Sequence, residues 1–269
     1  VLLRSSRGAS SNGAVLVVTT MGEPLQNWDE LEKKYDVKKG IYARFIKRFL
    51  DFVLTLVGVI VIAPLLVILC ILVRVKLGSP IFFKQKRTGL NEKTFEMIKF
   101  RTMSDARDAN GALLPDTERF TSFGNFLRNT SLDELPELFN VLKGDMSLIG
   151  PRPLYPFYLP YYTEKESLRH SVRGGITGLA QINGRALLRW NERFAMDVEY
   201  VRNITFIGDV KILFGTFYKV FKKDDIGVPS VTEEGGLHIV RDVQRPEYLV
   251  DYEVDKNSPK YVQVESHNE

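Results

Sequence analysis

The dominant feature of the hydrophobic pattern is "FVLTLVGVIVIAPLLVILCILV", a run of 22 residues from Phe52 to Val73 that contains no charge. As a helix rising ~1.5 Å per residue, it is long enough to cross a ~30 Å hydrocarbon core. The alternative is a buried core helix, but such a helix normally keeps a polar face, and this one offers only Thr55. Pro64 removes a backbone hydrogen bond and clashes with the Ile60 carbonyl, which predicts a break at Ala63-Pro64. Both flanks are basic, with Arg44, Lys47 and Arg48 before and Arg74 and Lys76 after. Basic flanks favour the cytoplasmic side. If both ends lie there, the segment enters the bilayer, bends and returns; simple crossing is the competing geometry, and Asp51 suits either.

Beyond this segment the pattern shortens. "IFFKQKRTG" and "KTFEMIKFRTM" read as two strands around the polar turn "GLNEK". "SFGNFLRNT" reads as one or two helical turns. "SLDELPELFNVLKG" reads as a soluble helix, with Leu132, Leu135, Leu138, Phe139 and Leu142 on one face and Gly144 as its stop. "PRPLYPFYLPYY" is proline-punctuated and aromatic, a composition suited to the lipid headgroup zone. Residues 190–222 read as two helices, the second fitting either a core or an interfacial position. No internal repeat is visible. The predicted organisation is an N-terminal extension over 1–40, with residues 1–20 disordered, then a membrane segment over 41–77. A catalytic body over 78–226 and a loosely ordered acidic tail over 227–269 follow. Met21 is a candidate natural start.

Charge adds an asymmetry. The chain of 269 residues has a net charge of +4, but residues 229–269 hold nine acids and four bases, so that their net −5 leaves +9 on the rest. A basic body suits anionic partners: nucleic acid, an anionic leaflet or a phosphorylated substrate. Cys70 is the only cysteine and lies in the apolar run, which excludes an intramolecular disulfide and a cysteine-cluster metal site.

Candidate chemistry centres on the adjacent carboxylates Asp133 and Glu134. One reading is local: Ser131 and Glu134 have capping-box spacing, and acids complement the first turn of a helix. Neighbours on a helix diverge, so the two cannot face each other as an acid/base pair. The other reading is chemical. An ionised carboxylate needs no base to attack phosphorus, and an anionic diphosphate needs cations to offset its charge. Lys99, Arg101, Arg128 and Arg152 are the candidate cations.

Together these segments, with "GGITGLAQINGR" and "FAMDVEYVRN" following in order, closely resemble the bacterial sugar transferase family, the monotopic polyprenol-phosphate phosphoglycosyl transferases. The resemblance runs from about Tyr42 to Asp225. It implies an α+β, mainly helical fold: a re-entrant membrane helix joined to a small cytoplasmic catalytic domain with short strands and amphipathic interfacial helices. It implies transfer of a phosphosugar from a UDP-sugar to undecaprenyl phosphate at the cytoplasmic face of the bacterial inner membrane, releasing UMP and initiating exopolysaccharide, lipopolysaccharide, capsule or glycoprotein glycan synthesis. Nucleic acid is then not a partner. Asp133 becomes the nucleophile of an aspartyl-phosphosugar intermediate, and Asp133 and Glu134 the Mg²⁺ site. Lys99, Arg101, Arg128 and Arg152 become phosphate-binding or dyad-orienting residues, with Asp197 and Arg185 further candidates. Two departures stand out. Ala63-Pro64 replaces the usual Ser-Pro at the helix break, removing a hydroxyl that could re-bond the freed carbonyl. Arg173-Gly174-Gly175 replaces Arg-Pro-Gly, which predicts a more flexible loop.

Overall fold

The computed structural model describes residues 26–184, 188–222 and 236–245. The first helix, α1 (Trp28–Lys34), is capped by Asn27 and buries Trp28 and Leu31 against Leu168 and Val198. Residues 26–34 therefore belong to the folded body, while the disorder expected of residues 1–20 falls outside the described residues.

After a π-type turn over Tyr42–Ile46, the apolar run forms α2 (Lys47–Leu77), the one helix among the described residues long and apolar enough to cross a membrane. It is not broken at Ala63-Pro64: the helix runs through Pro64. Proline deletes a single N–H donor, and the turns on either side remain helical. One stripe, Asp51, Thr55, Leu66, Leu69, Val73 and Leu77, is buried against the body. The other side is bare, with Phe49, Leu54, Ile60, Val61, Ile71 and Val75 each more than half exposed.

Both ends of α2 are tied to that body. At its start Lys47 pairs with Asp209 at 2.6 Å, and Asp51 accepts from the Ser147 hydroxyl at 2.7 Å. Near its end Leu69, Val73 and Leu77 pack with Phe100 and Leu127.

The predicted hairpin forms. Strands β1 (Phe82–Thr88) and β2 (Thr94–Phe100) pair antiparallel from Phe82 opposite Phe100 to Thr88 opposite Thr94. The turn between them places Asn91 and Glu92 at positive φ. Then come α3 (Asp116–Arg119), α4 (Ser122–Asn129), a 3₁₀ turn over Leu132–Glu134, and α5 (Glu137–Lys143). Gly144 ends α5 at φ +99°, a conformation open to glycine.

Next are β3 (Ser147–Ile149), a 3₁₀ stretch over Pro156–Tyr161, α6 (Glu164–Ser167), β4 (Gly175–Thr177) and α7 (Leu179–Asn183). The glycine-rich segment is thus not a flexible loop but a strand parallel to β3. A Cβ on Gly175 would lie 2.1 Å from the Gly150 nitrogen, so this close backbone approach requires glycine.

The last helices are α8 (Trp190–Arg202), α9 (Phe206–Lys222) and α10 (Leu237–Val240). The aromatic segment expected at headgroup height is instead core: Leu154, Tyr158, Leu159 and Tyr162 bury against Trp190, Phe194 and Leu237. Trp190 and Phe194 on α8 supply the apolar surroundings that these rings would otherwise find in lipid. α9 combines both readings of its pattern: Ile212 packs with Ile149, Tyr200 and Val201, while Phe206, Ile207, Phe214, Phe217 and Tyr218 stay exposed.

The loosely ordered tail is corrected over 236–245. There Leu237 is fully buried, Arg241 pairs with Glu166 at 2.6 Å, and Arg245 pairs with Glu92 at 2.7 Å. Residues 227–235 and 246–269 lie outside the described residues. The architecture is mainly helical α+β, with two small sheets and one long apolar helix.

Candidate active site

The acid pair sits where a helix fails to form. Ser131 takes a left-handed conformation, φ +55°, and its side chain caps nothing. The capping box suggested by its spacing with Glu134 is therefore absent. The single helix expected over this stretch is split into a 3₁₀ turn and α5: Leu135 and Pro136 keep helical backbone, but Pro136 has no N–H to donate back to the preceding turn.

Freed from capping, Glu134 points at two cations. Lys99 Nζ, from β2, donates to its Oε1 at 2.7 Å, and Arg152 Nη2, from the segment after β3, donates to the same oxygen. Glu134 Oε2 has no partner among the described residues. Burial pushes the Glu134 carboxyl up, but the charges of Arg152 and Lys99 outweigh burial and hold it well below the usual carboxylate range. Arg152 is driven up in turn, chiefly by the Glu134 charge.

Asp133 contrasts with its neighbour. Its half-buried carboxylate makes no hydrogen bond or ion pair among the described residues. Burial and the Glu134 charge raise it to about 6, and Lys99, Arg152 and Arg128 offset this only in part. A third acid, Glu137, completes the cluster. It is fully buried on the first turn of α5, its Oε1 3.1 Å from Lys99 Nζ but too poorly aligned for a hydrogen bond. Burial and the Glu134 charge raise it to about 7.

These contacts join segments far apart in the chain, and the likeness to known proteins covers the same span. Residues 42–223 match the model of the family described as bacterial sugar transferase. The chain belongs to that family. It is 51% identical over 186 residues to the uncharacterized sugar transferase EpsL of Bacillus subtilis, covering 67% of this chain and 90% of that one. It is 40% identical over 200 residues to the UDP-glucose:undecaprenyl-phosphate glucose-1-phosphate transferase of Escherichia coli, covering 70% of this chain and 42% of that protein. It is 36% identical over 199 residues to the undecaprenyl-phosphate galactose phosphotransferase of Salmonella typhimurium, covering 68% and 42%. The chain thus spans less than half the length of these two named transferases.

The other predicted site residues of this sugar transferase divide. Lys99 and Arg152 join the acid cluster. Arg128 lies beside it, its Nε donating to Thr102 Oγ1 at 2.8 Å and its guanidinium 4.8 Å from the Phe120 ring. Arg101 is turned elsewhere, donating to Ser79 O at 3.0 Å and Asp105 at 2.6 Å. Asp197 is not at the cluster. It is buried on α8 and pairs with Arg169 at 2.9 Å, whose Nη2 donates to the Arg152 carbonyl at 2.7 Å. Asp197 therefore positions Arg152 at one remove. Arg185 lies outside the described residues.

Sequence reasoning missed Glu137 and Arg169. Glu137 had a signal, since a residue three after Glu134 shares its helical side. Arg169 had none: only the fold carries it to Arg152.

The donor set fits Mg²⁺. Among the described residues no three His, Cys, Asp or Glu side chains form a metal-holding group. Mg²⁺, however, usually takes only one or two protein carboxylates, with waters and substrate phosphates completing its shell. Three carboxylates here face two close cations, with Asp133 and Glu134 Oε2 unpaired and both Glu137 oxygens buried without a hydrogen bond. A hard cation would balance that charge.

Proposed function

We propose that this chain transfers a sugar phosphate from a UDP-sugar to undecaprenyl phosphate, releasing UMP, by way of a covalent aspartyl intermediate on Asp133. One observation carries the assignment of roles: Glu134 is clamped by Lys99 and Arg152, while Asp133 beside it is free. A nucleophile needs an unengaged lone pair, and of the adjacent pair only Asp133 has both oxygens available among the described residues, while Glu137 is buried beside Lys99.

In the first step an Asp133 oxygen bonds to the sugar-bearing phosphorus, and the P–O bond to the second phosphate breaks, releasing UMP. In the second step a phosphate oxygen of undecaprenyl phosphate bonds to the same phosphorus. The Asp133–phosphorus bond breaks, and the carboxylate returns. Arg152 and Lys99 set positive charge beside the reacting phosphorus, where negative charge grows. Glu134 holds both cations in place. Asp133 and Glu134 would hold Mg²⁺, which when bound neutralises phosphate oxygens and polarises phosphorus.

The apolar helix would dock the body on the inner membrane at its cytoplasmic face. The ties of both ends of α2 to one body support an anchor that enters and leaves on the same side. The rival reading, a scaffold whose acid pair merely caps a helix, loses its basis with the absent cap.

A panel of UDP-sugars with undecaprenyl phosphate and Mg²⁺, scored by UMP release, tests the activity and identifies the sugar. Asp133→Asn is expected to lower turnover by about 10³-fold or more, and labelled donor should leave added mass at position 133 of the parent. Parental turnover in Asp133→Asn would rule out the covalent route.

A further inference from the structure

A groove of about 620 Å³ opens beside the end of α2, bounded by Arg74, Pro80, Phe82, Phe83, Lys84 and Arg101. Its walls are apolar and its rim is cationic. Phe83 is half exposed, and Phe82 is partly exposed while stacking on buried Phe100 at 5.5 Å. Arg74 is exposed and makes no hydrogen bond or ion pair among the described residues. The bonds Arg101 makes to Ser79 and Asp105 both use Nη1, which leaves its Nε and Nη2 donors unengaged.

Position adds to this chemistry. The Arg101 N–H donates to Ile81 O at 2.9 Å, so pairing with the β1 side continues one residue past β2. In extended backbone, residues two apart share a face, about 7 Å apart. The backbone therefore places Arg101 on the same side as Lys99, which reaches Glu134, while the Arg101 guanidinium turns to Ser79 and Asp105. At its other end the groove meets the last turn of α2, where the bare apolar surface of Ile71 and Val75 gives way to charge.

We propose that this groove seats the lipid acceptor: its phosphate on Arg74 and Arg101, its first isoprene units against Phe82 and Phe83. The proposal rests on the transferase reading above and adds where the second substrate binds. A nucleotide sugar shares the phosphate chemistry, but its ribose and sugar hydroxyls need hydrogen-bonding walls. Here the walls are aromatic and proline. An isoprenoid phosphate matches both the cationic rim and the apolar lining, and it reaches the groove along the bare side of α2 without leaving an apolar environment.

The test uses the full chain in lipid nanodiscs, with undecaprenyl phosphate and the active UDP-sugar varied separately. Arg74→Ala removes an exposed, unpaired side chain and should fold as the parent does; Phe83→Asp, checked by thermal unfolding, places charge in the apolar wall. Each should raise the KM for undecaprenyl phosphate about tenfold while the KM for the UDP-sugar stays within about twofold. A rise in the UDP-sugar KM instead, or no rise in either, would overturn the proposal. If the parent shows no lipid-dependent UMP release, the transferase reading fails independently. The groove is then judged by crosslinking a benzophenone-tagged polyprenyl phosphate: adducts on residues 74–84 uphold it, and adducts confined elsewhere refute it.

Discussion

Asp133 and Glu134 are neighbours with opposed proton affinities. Lys99 and Arg152 both converge on Glu134, and burial acts on Asp133 without a paired cation to offset it. With Asp133 raised to about 6, its ionised, reactive form is lost as pH falls through that value. At limiting divalent cation, kcat/KM for the UDP-sugar is expected to drop about tenfold per pH unit below about pH 6. A profile flat to pH 4.5 would contradict a nucleophile in this environment. Glu137 supports a stability prediction. Its ordinary value is 4.5 and its folded value about 7, so the folded state holds an extra proton between these limits and stability falls as pH rises across that window. Glu134, held low, acts with the opposite sign, losing its contribution as pH falls below the ordinary carboxylate range. Glu137→Gln should therefore gain in melting temperature relative to the parent from about pH 4.5 to 7; a constant difference would show that Glu137 is not strained by ionisation.

At the scale of elements, the polar network under the start of α2 does what apolar packing does at its end. Asp209 on α9 receives Lys47 at 2.6 Å, the Tyr42 hydroxyl at 2.7 Å and the Tyr200 hydroxyl at 2.9 Å. Asp209→Ala would leave the Lys47 ammonium buried with only Asp51 at 4.0 Å, a loss of about 3 kcal/mol. Denaturant unfolding in detergent measures it, and a change below about 1 kcal/mol would mean that this network does not anchor the helix. The hairpin, α4, α8, α9 and the glycine stop of α5 were legible because their signals are local: alternation, apolar spacing, a turn and a terminator. The acid pair and the cations Lys99 and Arg152 were legible as candidates, but the pair's local structure was not. The left-handed backbone at Ser131 and the long-range pull of Lys99 and Arg152 on Glu134 override a capping box that the spacing alone favours.

At the scale of the molecule, the two ends of α2 make the strongest topological prediction. Cysteines placed at Arg44 and Lys76 should be labelled from the same side of sealed vesicles by an impermeant reagent, and labelling from opposite sides would establish a crossing helix. The sequence by itself determined the apolar helix, the hairpin and the family, since each is written in local residue patterns that do not depend on distant partners. Only the tertiary structure decided that the proline-rich aromatics are core, that the glycine segment is a strand against Gly150, and that Asp197 pairs with Arg169 rather than joining the acid cluster. It alone decided that Asp133 is left free among the described residues while Glu134 is clamped. These facts depend on which partner shares each side chain's burial and charge, and such partners are brought together by folding across long stretches of chain.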